Sequence, residues 1–167
     1  KQYGNSKPRV FRLVEDQALI NRLGFNNHGS DVVLNRIKSN NKLGVLGINV
    51  GPNKDSDNRI NDYLIGIEKF HEVADYITIN ISSPNTPNLR NLHDKKKISD
   101  LINTLQRFKN NLKENKAIIF KLSPNLNDSE IYDLSEIFIE KKIDGIVLTN
   151  TTIKGRELLK DVNKSKE

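Results

Sequence analysis

The stretch Asn80-Ile81-Ser82-Ser83-Pro84-Asn85-Thr86 crowds carboxamides and hydroxyls into one short segment. It follows directly on an apolar, β-branched run, Tyr76-Ile77-Thr78-Ile79. A buried strand is therefore expected to end in a polar cluster. Pro84 has no N–H to give a sheet and presets its own φ, so it stops that strand. Polar groups at a strand's carboxyl end lie where parallel α/β proteins build their sites. Such a cluster can orient a flat, polar ligand and offer it an alcohol.

The pattern recurs along the chain. Leu43-Gly44-Val45-Leu46-Gly47-Ile48 runs into Asn49, Val50 and Gly51. Ala117-Ile118-Ile119-Phe120 runs into Lys121 and then Leu122-Ser123-Pro124. Gly145-Ile146-Val147-Leu148 runs into Thr149-Asn150-Thr151-Thr152. In a barrel of parallel strands such ends converge on one face. The alternative is that each polar residue is simply a turn former closing its strand.

The elements that must position these residues are marked by periodicity. Residues 9–20 read as a hairpin-like arm, followed by a turn-rich loop over 21–27. A short helix is expected after Ser30, with Val32, Val33, Arg36 and Ile37 at helical spacing. Ile60, Tyr63, Leu64, Ile67 and Phe70 form a helical stripe, as do Ile98, Leu101, Ile102, Leu105 and Phe108. A third helix is predicted from Asn127, with Glu130 completing a capping box. It should turn Ile131, Leu134, Ile137 and Phe138 to the sheet. Strands begin roughly 30 to 40 residues apart, which suits right-handed βα units. No Gly-x-Gly-x-x-Gly follows any strand, so a dinucleotide-type Rossmann fold lacks its phosphate turn. The fold class is α/β, of the (β/α)8 TIM barrel family, with this chain supplying four βα units, which the resemblance described below makes roughly the middle four. A whole barrel takes about 250 residues, and this chain has 167.

Composition narrows the function classes. The chain holds 27 Lys+Arg against 21 Asp+Glu, a net charge of +6. The lysines are scattered, and the tightest run, Lys95-Lys96-Lys97, lacks interleaved aromatics. A solvated face explains that run better than a nucleic-acid patch. The absence of Cys excludes disulfides, thiolate metal sites and a Cys nucleophile. His28, His71 and His93 show no metal-ligand spacing. No apolar run approaches the roughly 18 residues of a membrane span.

Several long motifs, in order, resemble the class 2 dihydroorotate dehydrogenases. They are Pro8-Arg9-Val10-Phe11-Arg12-Leu13, Leu19-Ile20-Asn21-Arg22-Leu23-Gly24-Phe25-Asn26-Asn27, Gly47-Ile48-Asn49-Val50-Gly51, the Asn80–Thr86 stretch, and Asp144-Gly145 to Thr151-Thr152. The resemblance implies FMN-dependent oxidation of dihydroorotate to orotate in pyrimidine biosynthesis, with a quinone as electron acceptor. Ser83 matches the base that removes a proton from C5 while C6 passes a hydride to FMN. In the related class 1 enzymes a Cys holds that place. Asn80, Asn85, Asn150 and Thr151 match the groups that hold the pyrimidine ring and its carboxylate. Asn21, with the loop Arg22, Leu23, Gly24 and Phe25, matches the segment closing over the substrate. Asn49, Asn80, Lys121 and Thr149 match flavin contacts. Thr86 and Phe25 match residues on the proton's way out.

The chain departs from the family pattern at Pro52, where Lys is common, and at Leu122-Ser123-Pro124-Asn125, which replaces Ile-Ala-Pro-Asp. Measured against the family, residues 1–167 form a partial FMN-binding barrel domain. The first two barrel strands, the phosphate-binding last strands and the N-terminal quinone-binding helices are expected to lie outside it. The expected partners are dihydroorotate or orotate, a quinone reached through those helices, the remaining barrel segments, and no nucleic acid. The resemblance implies a membrane-associated protein of the bacterial or mitochondrial inner membrane, and an isolated segment without activity. Two other readings stay open: a non-enzymatic barrel remnant, and a flavin barrel acting on uracil-type rings.

Overall fold

A computed structural model describes residues 2–41, 43–83 and 94–166. The arm is an antiparallel hairpin of β1 (Val10–Leu13) and β2 (Ala18–Asn21), in register from Val10↔Asn21 to Leu13↔Ala18. Helix α1 (Ser30–Ser39) follows. Then come β3 (Gly47–Val50), α2 (Arg59–Phe70), β4 (Tyr76–Asn80), α3 (Lys95–Lys109), β5 (Ala117–Lys121), α4 (Asp128–Glu140) and β6 (Gly145–Val147). The last four strands form one parallel sheet in the order β3-β4-β5-β6. Sequential order with a helix in each crossover is the arrangement of consecutive βα units of a barrel.

Helices α2, α3 and α4 each start where a side chain can satisfy a first free N–H group. The Asn58 side chain accepts from the Asn61 N–H and Asp94 from the Lys97 N–H, both at 3.1 Å. At α4 the predicted capping box is complete. The Glu130 N–H donates to Asn127 Oδ1 at 2.9 Å, and the Asn127 N–H donates to Glu130 Oε2 at 2.8 Å.

The helical stripes of α2 and α3 are core. Tyr63, Ile67, Ile98, Leu101, Ile102 and Leu105 are almost wholly buried against Ile77, Ile79 and Ile81. Alternate residues of a strand point to opposite faces. The isoleucines therefore meet the helices, while Thr78 and Asn80 line the other, inner face of the sheet.

Three expectations need correction. Strand β3 begins at Gly47, not at Leu43; Leu43 and Val45 are exposed, and Gly44 takes a left-handed φ of 78° that breaks the extended run. Ile131 stays half exposed. At 3.6 residues per turn it falls about 70° from the middle of the arc formed by Leu134, Ile137 and Phe138. Helix α1 has no buried residue, and among the described elements it packs chiefly against α2.

Candidate active site

The carboxyl ends of β3, β4 and β6 are joined by side chains. Asn49 stands on β3 and Asn80 closes β4. The Asn80 Nδ2 group donates to Asn49 Oδ1 at 3.2 Å. Asn80 Oδ1 receives two bonds from Ser82, from its N–H at 3.1 Å and its hydroxyl at 2.8 Å. Asn150, beyond β6, donates through Nδ2 to Ser82 Oγ at 2.9 Å. The Asn150 Oδ1 atom in turn accepts from the Thr151 N–H at 2.7 Å. A chain of side-chain hydrogen bonds thus crosses the sheet from Asn49 to Thr151.

Burial makes this chain consequential. Asn80 is 3% exposed and Ser82 is fully buried. An unpaired amide at such a depth costs about 1–3 kcal/mol, so the buried members hold one another in place. A helix contributes as well. The buried Tyr63 hydroxyl of α2 donates to the Asn80 carbonyl at 2.8 Å. Burial raises that phenol's pKa, so it remains a protonated donor.

Lys121 ends β5 directly opposite Asn80 in the parallel register. Its side chain is half-buried and has no hydrogen-bond or ion-pair partner among the described residues. A cation therefore stands beside the carboxamides. Thr149 follows β6, and its hydroxyl donates to the Asn150 carbonyl at 3.0 Å. Ser83 is buried next to the hub at Ser82. Asn85 and Thr86, like Pro84, lie outside the described residues.

The arm folds back towards these strand ends. Gly24 and Phe25 both take positive φ, 69° and 59°. Left-handed backbone is costly for a bulky residue such as Phe25. Its ring lies against Gly51, just past β3, where a Cβ would stand only 2.7 Å from the ring's Cζ. Gly51 thus lets the loop close onto the end of β3. Asn21 and Thr151 line one cleft between the hairpin and residues 151–159. Leu23 is partly exposed, and its carbonyl accepts from the Asn5 N–H at 3.0 Å. The Arg22 guanidinium turns to the arm itself, donating to the Pro8 carbonyl at 3.1 Å and lying 5.2 Å from the Phe11 ring centroid.

The structure thus gathers Asn49, Asn80, Asn150 and Thr151 into one network, sets Lys121 beside it, and brings Phe25 and Asn21 to its margin. Two contributors are not among the residues expected from sequence. Ser82 shares a face with Asn80 through the period-two spacing of an extended chain, and that spacing is the signal that marks it. Asn125, at a position where the chain departs from the family pattern, donates to Thr152 Oγ1 at 2.9 Å and accepts the Ile153 N–H at 3.2 Å. It props the loop that carries Asn150 and Thr151. No local spacing links Asn125 to Thr152.

Fold and site together define an α/β-barrel protein whose polar centre sits at the carboxyl ends of its strands. The chain belongs to the dihydroorotate dehydrogenase family, whose model matches residues 1–167. It is 47% identical over 166 residues to the dihydroorotate dehydrogenase (quinone) of Christiangramia forsetii, covering 98% of this chain and 48% of that protein. The mitochondrial dihydroorotate dehydrogenase (quinone) of Cyclocybe aegerita is 43% identical over 157 residues, covering 91% of this chain and 48% of that protein. Among solved structures, the crystal structure of ligand-free DHODH from Eimeria tenella superposes with a TM-score of 0.91 at 35% identity, over 99% of this chain and 53% of that one. The chain spans about half the length of the curated relatives it matches.

Proposed function

We propose that the polypeptide carrying these residues oxidises dihydroorotate to orotate and passes the electrons to a quinone, with residues 1–167 forming part of an FMN-binding barrel domain. The observation that carries this is the network Asn49–Asn80–Ser82–Asn150, buried at Asn80 and Ser82, with Lys121 beside it in register. Carboxamides offer a donor and an acceptor each, which matches the imide edge of a pyrimidine or of a flavin. The relatives named above as dihydroorotate dehydrogenase (quinone) support the same assignment.

The donor set suits a flavin. Asn49, Asn80, Lys121 and Thr149 would hold it, with the Lys121 ammonium supplying positive charge close to the ring. Bound FMN supplies the acceptor for the hydride that leaves C6. Asn80, Asn85, Asn150 and Thr151 bind the substrate ring and its carboxylate. Ser83 takes the proton from C5. A serine is a weak base in water, so it requires an enclosed site and an outlet for its proton. The loop Asn21 to Phe25 closes the site, and Phe25 and Thr86 line the outlet. Quinone use places the whole protein at a membrane. Among the described residues no helix is long and apolar enough to cross one.

The test is dihydroorotate-dependent reduction of a quinone analogue. The full-length polypeptide is expected to turn over and residues 1–167 alone are not, because β3 and β6 each leave one edge unpaired among the described residues. Absence of turnover in the full-length protein, purified with its flavin, contradicts the assignment.

A further inference from the structure

We infer that Ser82 is the positioning residue that dictates which end of the Asn80 and Asn150 carboxamides faces the ligand, an inference that rests on the functional reading above. A carboxamide has an accepting oxygen and a donating NH2, and half a turn about its last bond exchanges them. Something must select one orientation, and here it is a serine hydroxyl with a single hydrogen. That hydrogen goes to Asn80 Oδ1 at 2.8 Å, reinforced by the Ser82 N–H at 3.1 Å. The Asn80 nitrogen is thereby turned to Asn49 Oδ1 at 3.2 Å. Having spent its hydrogen, the hydroxyl presents a lone pair on its other side. Only a donor can meet it there, and Asn150 Nδ2 does so at 2.9 Å. The Asn150 oxygen is left to accept from the Thr151 N–H at 2.7 Å and from its hydroxyl at 3.3 Å. Ser82 is fully buried, so no solvent stands in for it.

The two carboxamides depend on Ser82 unequally. Without the hydroxyl, Asn80 keeps the Ser82 backbone N–H. Asn150 Nδ2 loses the acceptor that the structure gives it. Ser82→Ala should therefore act on the substrate mainly through Asn150. A group that holds the ring alike in ground and transition states shifts KM more than kcat.

The experiment is a double-mutant cycle on the full-length flavoprotein, with Ser82→Ala, Asn150→Ala and the pair, reading KM and kcat for dihydroorotate together with flavin content. Ser82→Ala should raise KM about tenfold, the scale set by one half-buried amide losing its partner. It should change kcat by a smaller factor and leave flavin bound. In the Ser82→Ala background, Asn150→Ala should cost less than half, on a logarithmic scale, of what it costs in the unmutated protein. If Ser82→Ala does not yield folded flavoprotein, Ser82→Cys replaces it in the same cycle, since it keeps the shape and weakens both bonds. Losses that multiply independently, or a fall in kcat and flavin content with KM unchanged, overturn the inference and leave the functional reading standing. No turnover by the unmutated protein overturns both.

Discussion

The two ends of the parallel sheet both carry polar side chains, yet they use them differently. At the amino ends, Asp75 accepts the Leu46 N–H at 2.6 Å, and Asp144 accepts the Ile118 N–H at 2.7 Å. Each Asp sits just before its own strand and ties down backbone at the start of the neighbouring one. Lys109 of α3 adds an ion pair to Asp144 at 2.6 Å. These carboxylates serve the backbone. At the carboxyl ends, Asn49, Asn80, Ser82 and Asn150 bond chiefly to one another's side chains. They organise functional groups across strands far apart in sequence. A polar residue at a strand terminus is therefore read by its partner: backbone for architecture, side chain for a site.

Substitutions at the two ends should separate these roles. Asn80→Leu keeps the volume but removes a carboxamide of the proposed ligand cage and strands both buried Ser82 donors. At about 1–3 kcal/mol per buried orphan, orotate binding should weaken at least a hundredfold, measured by titration of the flavin spectrum. Unchanged affinity would erase the contrast. Asp144→Ala should cost about 2 kcal/mol of stability, as expected for backbone and lysine bonds to a charged acceptor. Denaturant unfolding should show that loss while KM for dihydroorotate stays put. Tyr63→Phe removes one neutral bond to the Asn80 carbonyl and should cost about 1 kcal/mol by the same measurement. A larger effect on KM than on stability would move Tyr63 into the site.

The smallest effect is expected far from both ends, at the Asp31–Lys69 pair. The Lys69 hydrogen bond and charge hold the exposed Asp31 carboxyl below its ordinary value of 3.8. Its contribution is present above that value and lost as pH falls through the lowered one. An exposed pair is worth little, so Asp31→Asn should leave the unfolding midpoint at pH 7 within measurement error.

Much of this architecture is legible in the sequence. The stripes of α2 and α3 announce their buried faces, because each spans several turns and ends in a strand of β-branched residues. The Asn127–Glu130 box is local chemistry and is realised as such. Less legible is anything that depends on a neighbour. Val32 of α1 is on an amphipathic pattern yet 40% exposed, since the pattern states what a helix can bury and not what lies beside it. The recurrent polar strand ends point to Asn49, Asn80, Lys121 and Asn150 as a group. They do not disclose that the hydroxyl joining two of the carboxamides is that of Ser82. That bond joins residues 68 positions apart, and only the parallel stacking of β4, β5 and β6 creates it.

The central claim is that an alcohol at the end of β4 removes a proton from a ring held by these carboxamides. Anaerobic mixing of dihydroorotate with the full-length flavoprotein and its Ser83→Ala variant tests it most directly, by following loss of flavin colour. The unmutated protein should bleach within a turnover, whereas Ser83→Ala should keep its flavin, still bind orotate, and bleach slower by several orders of magnitude. Bleaching of Ser83→Ala at the unmutated rate would contradict the account.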